Sequence, residues 1–433
     1  MEETQKIQDK KTNTKLFPIY KMFSWDLLFY YSIIYLFLTQ AKNFSASEVL
    51  LAESFFTASC LFLQIPIGLL VDKFGKKNSL VFANICMCVF ITILLFINNY
   101  KMLLLANFID AIGYVIKGVC ETNILYDSLP KGEKRGALYS SIDGVGAARY
   151  YIIDAITSII AGITFAIDPY IPVVLCLIVN IIALILSTRF KHTQSQREEE
   201  YPKETARQYF KELREAIKFT FNSKRMLCLM LFFGLMSGLT YNLSTYRSNI
   251  LNSINIPAQY FGVIFAIIQI MAGICSKGQG WLHRRFKNNT LSVLGIPYVA
   301  SCFIIGCLVD SFGEGVSNIV VILFILQGAI KGAYNVLIYR YLNNFTNRKI
   351  RVKLATIRNM FFNMISILIS LLGSFLLKVT TSGNTFLIVG GICTVCMVLL
   401  LDYMRGKVGL KPEKYNKEDL KYSSFNEGGN LKW

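Results

Sequence analysis

Long apolar runs separated by short polar ones dominate the chain. Twelve runs of about 20 apolar residues, the length that crosses a bilayer as a helix, can be picked out. They fall near 20–40, 48–71, 79–98, 102–127, 138–164 and 169–188, and again near 226–246, 258–280, 290–310, 317–340, 354–378 and 383–403. The pattern predicts an all-α integral membrane protein of twelve transmembrane helices in two six-helix bundles. The bundles occupy 17–188 and 226–403, with polar tails at 1–16 and 404–433 and a polar linker at 189–225. Inside the linker, Lys203 to Asn222 reads as an amphipathic helix. Phe210, Leu213, Ile217 and Phe221 form its apolar stripe, suited to lying on the inner membrane surface. The polar start from Met1 to Lys15 lacks the order of charged, apolar and small residues that marks a removable signal peptide.

Composition agrees. Of 433 residues, 54% are hydrophobic and 17% charged, against about 25% charged in soluble domains. The net charge of +18 would suggest nucleic acid, but its placement excludes that. With the N-terminus inside and the spans alternating, 38 of the 45 Lys and Arg residues fall on the inner side and four outside (Lys42, Lys101, Arg247 and Lys378). This split puts both termini in the cytoplasm and turns the basic excess towards anionic lipid. Three cations, Lys117, Arg149 and Lys331, remain inside predicted spans. The eleven cysteines sit in apolar runs as small filler, and only His192 and His283 are available for imidazole chemistry. A Walker loop, a metal cluster and a nucleophile constellation are all missing, so no enzyme activity and no cofactor are expected.

The two halves echo each other. Ile116-Lys117-Gly118 followed by Asn123-Ile124-Leu125-Tyr126 in the fourth span is matched by Ile330-Lys331-Gly332 followed by Asn335-Val336-Leu337-Ile338-Tyr339 in the tenth. Lys76-Lys77-Asn78-Ser79-Leu80 is matched by Lys287-Asn288-Asn289-Thr290-Leu291. The offsets, 214 and 211 positions, are nearly equal. Paired six-helix repeats are a transporter architecture.

The loop after the second span carries the sharpest motif, Gly68-Leu69-Leu70-Val71-Asp72-Lys73-Phe74-Gly75-Lys76-Lys77. Gly75 permits a tight turn, Asp72 is placed to accept hydrogen bonds from helix-end donors, and Lys76 and Lys77 hold the loop in the cytoplasm. It resembles the loop signature of the major facilitator superfamily, G-x-L-x-D-x-x-G-[RK]-[RK], in full. The resemblance implies that Gly68, Asp72, Gly75, Lys76 and Lys77 form a conformational latch between the halves. In the second-half copy His283 stands near the acid's position. Glu121 followed by Tyr126-Asp127-Ser128-Leu129 is similar to a largely uncharacterised bacterial subset of that superfamily. Two family elements are absent. Ile109 stands where an arginine often precedes Gly113, and span five reads Asp143-Gly144-Val145-Gly146-Ala147-Ala148-Arg149 in place of the antiporter element.

Ionisable groups at membrane depth are functional candidates by default. Asp110, Lys117 and Glu121 share one helical face, with Lys117 and Glu121 spaced to pair. The resemblance implies that spans one, four, seven and ten line a cavity, which brings in Asp26 and Lys331. Arg149 is open to pairing with Glu121 or Asp26. The site expected for substrate or proton coupling is therefore Asp26, Asp110, Lys117, Glu121, Arg149 and Lys331. The expected function is alternating-access, proton-coupled export of a small organic compound by a monomer in a bacterial cytoplasmic membrane. Its partners are lipid, a small-molecule substrate and protons. Two alternatives stay open: uptake or exchange of a small anionic solute, and a non-transporting sensor or scaffold.

Overall fold

A computed structural model describes the backbone of residues 2–130, 135–192, 206–286, 289–344 and 348–407. Every regular element among these residues is helical: α1 Glu2–Ser24, α2 Ile34–Leu36, a π-helical turn Phe37–Ala41, α3 Ala46–Phe74, α4 Lys76–Phe96, α5 Tyr100–Ser128, α6 Arg135–Ile167, α7 Tyr170–Thr188, α8 Ala206–Asn222, α9 Lys224–Ser253, α10 Ala258–Phe286, α11 Thr290–Phe312, α12 Ser317–Asn344, α13 Arg348–Val379 and α14 Ser382–Lys407. Ten stretches among the described residues are long and apolar enough to cross a membrane. One of them, Thr290–Asn335, runs through both α11 and α12. Large apolar side chains such as Phe62, Ile167, Ile322 and Leu368 stand exposed. Such a belt is a liability in water and the expected surface in lipid.

Local chemistry sets several helix ends. Ser45 and Glu48 form a reciprocal capping box at the start of α3, with Glu48 N–H on Ser45 Oγ at 3.2 Å and Ser45 N–H on Glu48 Oε2 at 2.8 Å. Asn99 Oδ1 accepts from Met102 N–H at 3.0 Å to cap α5. Ser223 Oγ accepts from Met226 N–H at 3.2 Å to cap α9. Gly75 ends α3 and begins α4 at φ +83° and ψ 145°, a conformation reached essentially only by glycine.

The helices divide into two compact units. The first comprises Met1–Thr205 with Pro257–Ala266, and the second Ala206–Ile256 with Ile267–Trp433. In the first, Phe17, Tyr20, Leu80, Ala83, Cys120 and Leu125 pack one apolar core among α1, α4 and α5. There Gly262 of α10 lies so close to the Ser158 carbonyl of α6 that no Cβ fits. In the second, α9 packs on α13 through Gly234 and Gly238. Asn242 of α9 donates to Ser366 Oγ at 2.9 Å and accepts from Ser370 Oγ.

Two elements differ from the sequence expectation, and a third adds contacts to it. The first is span one, which is not a continuous helix. α1 stops at Ser24, and residues 25–33 are turns and bends before α2. Within them Phe29 adopts φ +63°, a left-handed conformation costing roughly 1–2 kcal/mol for a residue with a Cβ. The break contains neither proline nor glycine, so hydrophobicity along the chain could not reveal it.

The second is α9, which continues to Ser253. Arg247, assigned to an outer loop from the sequence, instead lies buried in that helix with its guanidinium 5.2 Å from the Phe324 ring centroid. A cation stacked on an aromatic face is a stable buried arrangement, and the apolar run failed to show it because the arginine interrupts the run.

The third is α8. Leu213, Ala216 and Thr220 are buried, and Phe221 stands 6.2 Å from the Phe361 ring. The helix docks on α9 and α13 within its own unit, while Phe221 of the expected stripe stays exposed. Linker residues 193–205, tail residues 408–433 and the side chain of Asp72 lie outside the described residues.

Candidate functional site

The first unit gathers most of the predicted charges around the break in span one. A helix end leaves its last carbonyls without intrahelical donors and with partial negative charge. At the end of α1 that vacancy is filled from α5, where the buried Lys117 ammonium donates to the Ser24 carbonyl. The same serine's hydroxyl donates to Glu121 Oε1 at 3.3 Å. Lys117 and Glu121, predicted to pair directly, are thus joined through Ser24. Asp110, one face up the same helix, lies within electrostatic range of Lys117 and of Asp26. Asp26 itself sits in the break, where it accepts from Tyr31 OH at 2.7 Å and from Leu27 N–H at 3.0 Å. Four of the six residues expected at the coupling site therefore come together: Asp26, Asp110, Lys117 and Glu121.

Arg149 is exposed on α6, and the described bonds to Glu121 and Asp26 come from Ser24, Tyr31 and Leu27. Lys331 belongs to the second unit, half-buried on α12. A cation that the sequence assigned to the cytoplasmic tail enters the first unit's group. Lys21 is buried, pairs with Asp143 of α6 at 2.5 Å, and lies 4.5 Å from the Trp25 ring centroid. Trp25 in turn packs edge-on against Tyr150 and Tyr151, both at 5.1 Å. The available signal was spacing. Lys21 stands four residues before Trp25, near the end of a helix that begins at Glu2, well before the apolar run.

The described part of the loop motif is tied to its own unit. Lys76 forms an ion pair with Asp127 of α5, both side chains largely buried. Beside it, Asn13 of α1 donates to Ser128 Oγ at 3.2 Å and to the Lys191 carbonyl at 3.0 Å. It also accepts from Lys191 N–H at 2.8 Å. The Tyr-Asp-Ser-Leu ending of span four is therefore a junction holding α1, α4, α5 and the end of α7. Lys77 is half-buried, and Gly68 has open space where a Cβ would stand, so only Gly75 is required by conformation.

The second unit buries Arg247 and, among its described residues, several neutral polar groups. Ser237 hydroxyl lies 3.0 Å from Tyr334 OH, and Thr240 Oγ1 2.7 Å from Tyr298 OH. Gln327 donates to Ser301 Oγ at 2.8 Å. Among the described residues no group of His, Cys, Asp and Glu is arranged to hold a metal ion.

Comparison with known proteins agrees with this architecture. The family model described as Major Facilitator Superfamily matches residues 16–325 and 292–426. An uncharacterised MFS-type transporter of Bacillus subtilis (strain 168), YxaM, is 24% identical over 242 residues, covering 55% of this chain. The match spans only 58% of that relative's length. Among solved structures, a variant of the nucleoside transporter NupG superposes with a TM-score of 0.69 at 14% identity, over 92% of this chain and 99% of that one. A D-xylose–proton symporter superposes with a TM-score of 0.64 at 13% identity, over 91% of this chain and 96% of that one. The likeness is one of fold, and these proteins are transporters rather than enzymes. On the family match, which covers most of its length, this multi-pass membrane chain belongs to the Major Facilitator Superfamily.

Proposed function

We propose that the protein is a monomeric, alternating-access transporter that couples the movement of a small organic compound to protons, in the export direction, across a bacterial cytoplasmic membrane. The reading takes the chain to cross the membrane twelve times with both termini inside, as the basic bias supports. The observation that carries it is the Lys117 ammonium in the first unit, set between the Ser24 carbonyl, Glu121 on the same serine, and Asp110. Carboxylates gathered at membrane depth around one ammonium form the type of group that takes up and releases protons during transport. Asp26 belongs to the same group, Lys331 is assigned to the coupling set from the sequence, and the loop motif through Asp72 latches one conformation.

The similar folds suggest the first compounds to test, nucleosides and pentoses. Purified protein in proteoliposomes with an interior pH dye should show substrate-dependent proton movement. Glu121→Gln should abolish that movement while the variant still folds. Substrate transport indifferent to the pH gradient would overturn the coupling. A second reading, exchange of a small anionic solute, is favoured by the exposed Arg149 on α6. On that reading Arg149→Gln raises the KM for an anion by an order of magnitude or so and leaves neutral solutes unaffected.

A further inference from the structure

We propose that α8 is a docking surface for anionic phospholipid of the inner leaflet, with Lys211, Arg214 and Lys218 taking the phosphates and Ile217 and Phe221 the upper acyl chains. Lipid docking here is independent of which compound is transported. It shares with the transport reading only the topology, which puts this linker helix inside. An α-helix turns about 100° per residue, and the described side chains of α8 fall around it in one order. Leu213, Ala216 and Thr220 form the buried face that docks on α9 and α13. Beside them come Ile217, half-buried, and then Phe221, 59% exposed. Arg214, Lys218 and Lys211 follow, all three exposed. Glu215, Phe219 and Glu212 complete the circle on the far side.

Depth and charge select lipid as the occupant. The Phe221 ring centroid lies 6.2 Å from that of Phe361. Phe361 stands about 8 Å in from the Thr356 end of the apolar stretch Thr356–Val379, at 1.5 Å rise per residue. An interfacial helix sinks its apolar face about 5–10 Å into the boundary between headgroups and acyl chains. Phe221 is therefore at the level where such a face ends, on a ring left mostly uncovered by protein. The charges are sorted to match. Arg214 and Lys218 flank the uncovered ring, while Glu212 and Glu215 stand away from it. The ion pairs described in this protein lie elsewhere, at Lys21 and Lys76. Long basic side chains keep their apolar stems low and lift their charges to the phosphates.

The helix thus divides its apolar stripe between two surroundings, protein on one flank and lipid on the other. Only Ser223 separates α8 from α9. Its N–H donates to the Phe219 carbonyl at 2.9 Å, and its hydroxyl accepts from Met226 N–H at 3.2 Å. A phospholipid held on α8 is thereby tied to the first turn of α9, and it anchors the second unit to the membrane surface.

Fluorescence of the full-length Phe221→Trp protein tests the surface without substrate or gradient. The protein is reconstituted in phosphatidylcholine vesicles that contain a minor share of brominated phosphatidylglycerol or brominated phosphatidylcholine, both quenchers. Subtracting the wild type, which carries Trp25, Trp281 and Trp433, isolates the new ring. Phosphatidylglycerol should quench it at a several-fold lower share than phosphatidylcholine. Arg214→Gln and Lys218→Gln together should erase that preference, each removed charge weakening it about fivefold. Equal quenching by the two lipids overturns the anionic site. Quenching by neither assigns Phe221 to a protein contact and overturns lipid docking altogether. If Phe221→Trp does not fold, native mass spectrometry decides. Wild-type protein released from mixed micelles should retain more phosphatidylglycerol than the Arg214→Gln, Lys218→Gln double variant, and equal retention overturns the proposal. Failure of proton-coupled transport with the lipid preference intact would overturn the coupling and leave the lipid site standing.

Discussion

Lys117 and Lys331 occupy matched places in the two halves, each followed by glycine, yet their surroundings differ. Lys117 is buried and spends its charge on the end of a broken helix, while the adjacent Gly118 has open space around it. Lys331 is half-buried, and its neighbour Gly332 is pressed against the Ala272 backbone of α10, with Gly328 against Ile268 a turn earlier. Besides the crossing of Gly262 on Ser158, the first unit joins its helices through charge: Lys21 to Asp143, Lys76 to Asp127, Lys117 to Ser24. The second joins them through glycine crossings and neutral hydrogen bonds around Asn242, Gln327 and Tyr298. Charge pairs in a low-dielectric interior change partners when a proton arrives. Backbone-to-backbone contacts between helices have no such alternative. On the proposed function, these charge pairs make the first unit the half expected to respond to protons.

The glycines give the sharpest way to break this comparison. Gly332→Leu should remove folded protein from the membrane extract, because any side chain there collides with the Ala272 carbonyl oxygen. Gly118→Leu at the matched place should leave a monodisperse peak, and equal losses by size-exclusion chromatography would erase the contrast. Next in size is the junction of the loop motif. Asp127→Asn leaves the largely buried Lys76 without its carboxylate and should cost about 3 kcal/mol, seen as a lower Tm. Lys76→Met combined with Asp127→Asn should recover part of that loss. In the second unit, Asn242→Leu strips partners from the buried Ser366 and Ser370. It should cost about 1–3 kcal/mol, with no change in the pH dependence of transport. The smallest effect is expected from Gly118→Ala, which should raise stability by about 0.5–1 kcal/mol by removing backbone freedom from an open helical position.

Much of this was legible in the sequence, and the reason is physical. A helix that must satisfy its own backbone in lipid needs about 20 apolar residues. The spans from 48 onward accordingly lie close to the apolar stretches of the structure, as 79–98 does to Lys76–Phe96 and 169–188 to Tyr170–Thr188. The shared face of Asp110, Lys117 and Glu121 was legible for the same reason, since helical spacing alone sets it. Hydrophobicity says where a helix is affordable in lipid, not where it is continuous. The runs at 20–40 and 226–246 were therefore misjudged at a buried charge: Lys21 and Asp26 in the first, Arg247 just past the second. Asn13 and Lys21 were read as tail residues because polarity near a terminus looks the same whether a side chain is solvated or clamped between helices.

Sequence by itself determined the helical membrane architecture, the family motif with its obligatory turn at Gly75, and the face on which the fourth span carries its charges. These depend on length, spacing and single-residue conformation, all properties of the chain alone. Tertiary structure alone decided that span one breaks at Ser24, that Lys117 caps the broken end, that Lys76 pairs with Asp127, and that Arg247 lies over Phe324. The last three each join residues at least 50 positions apart. A buried cation takes its partner from whichever helix packs against it, and that neighbour exists only once the helices have assembled.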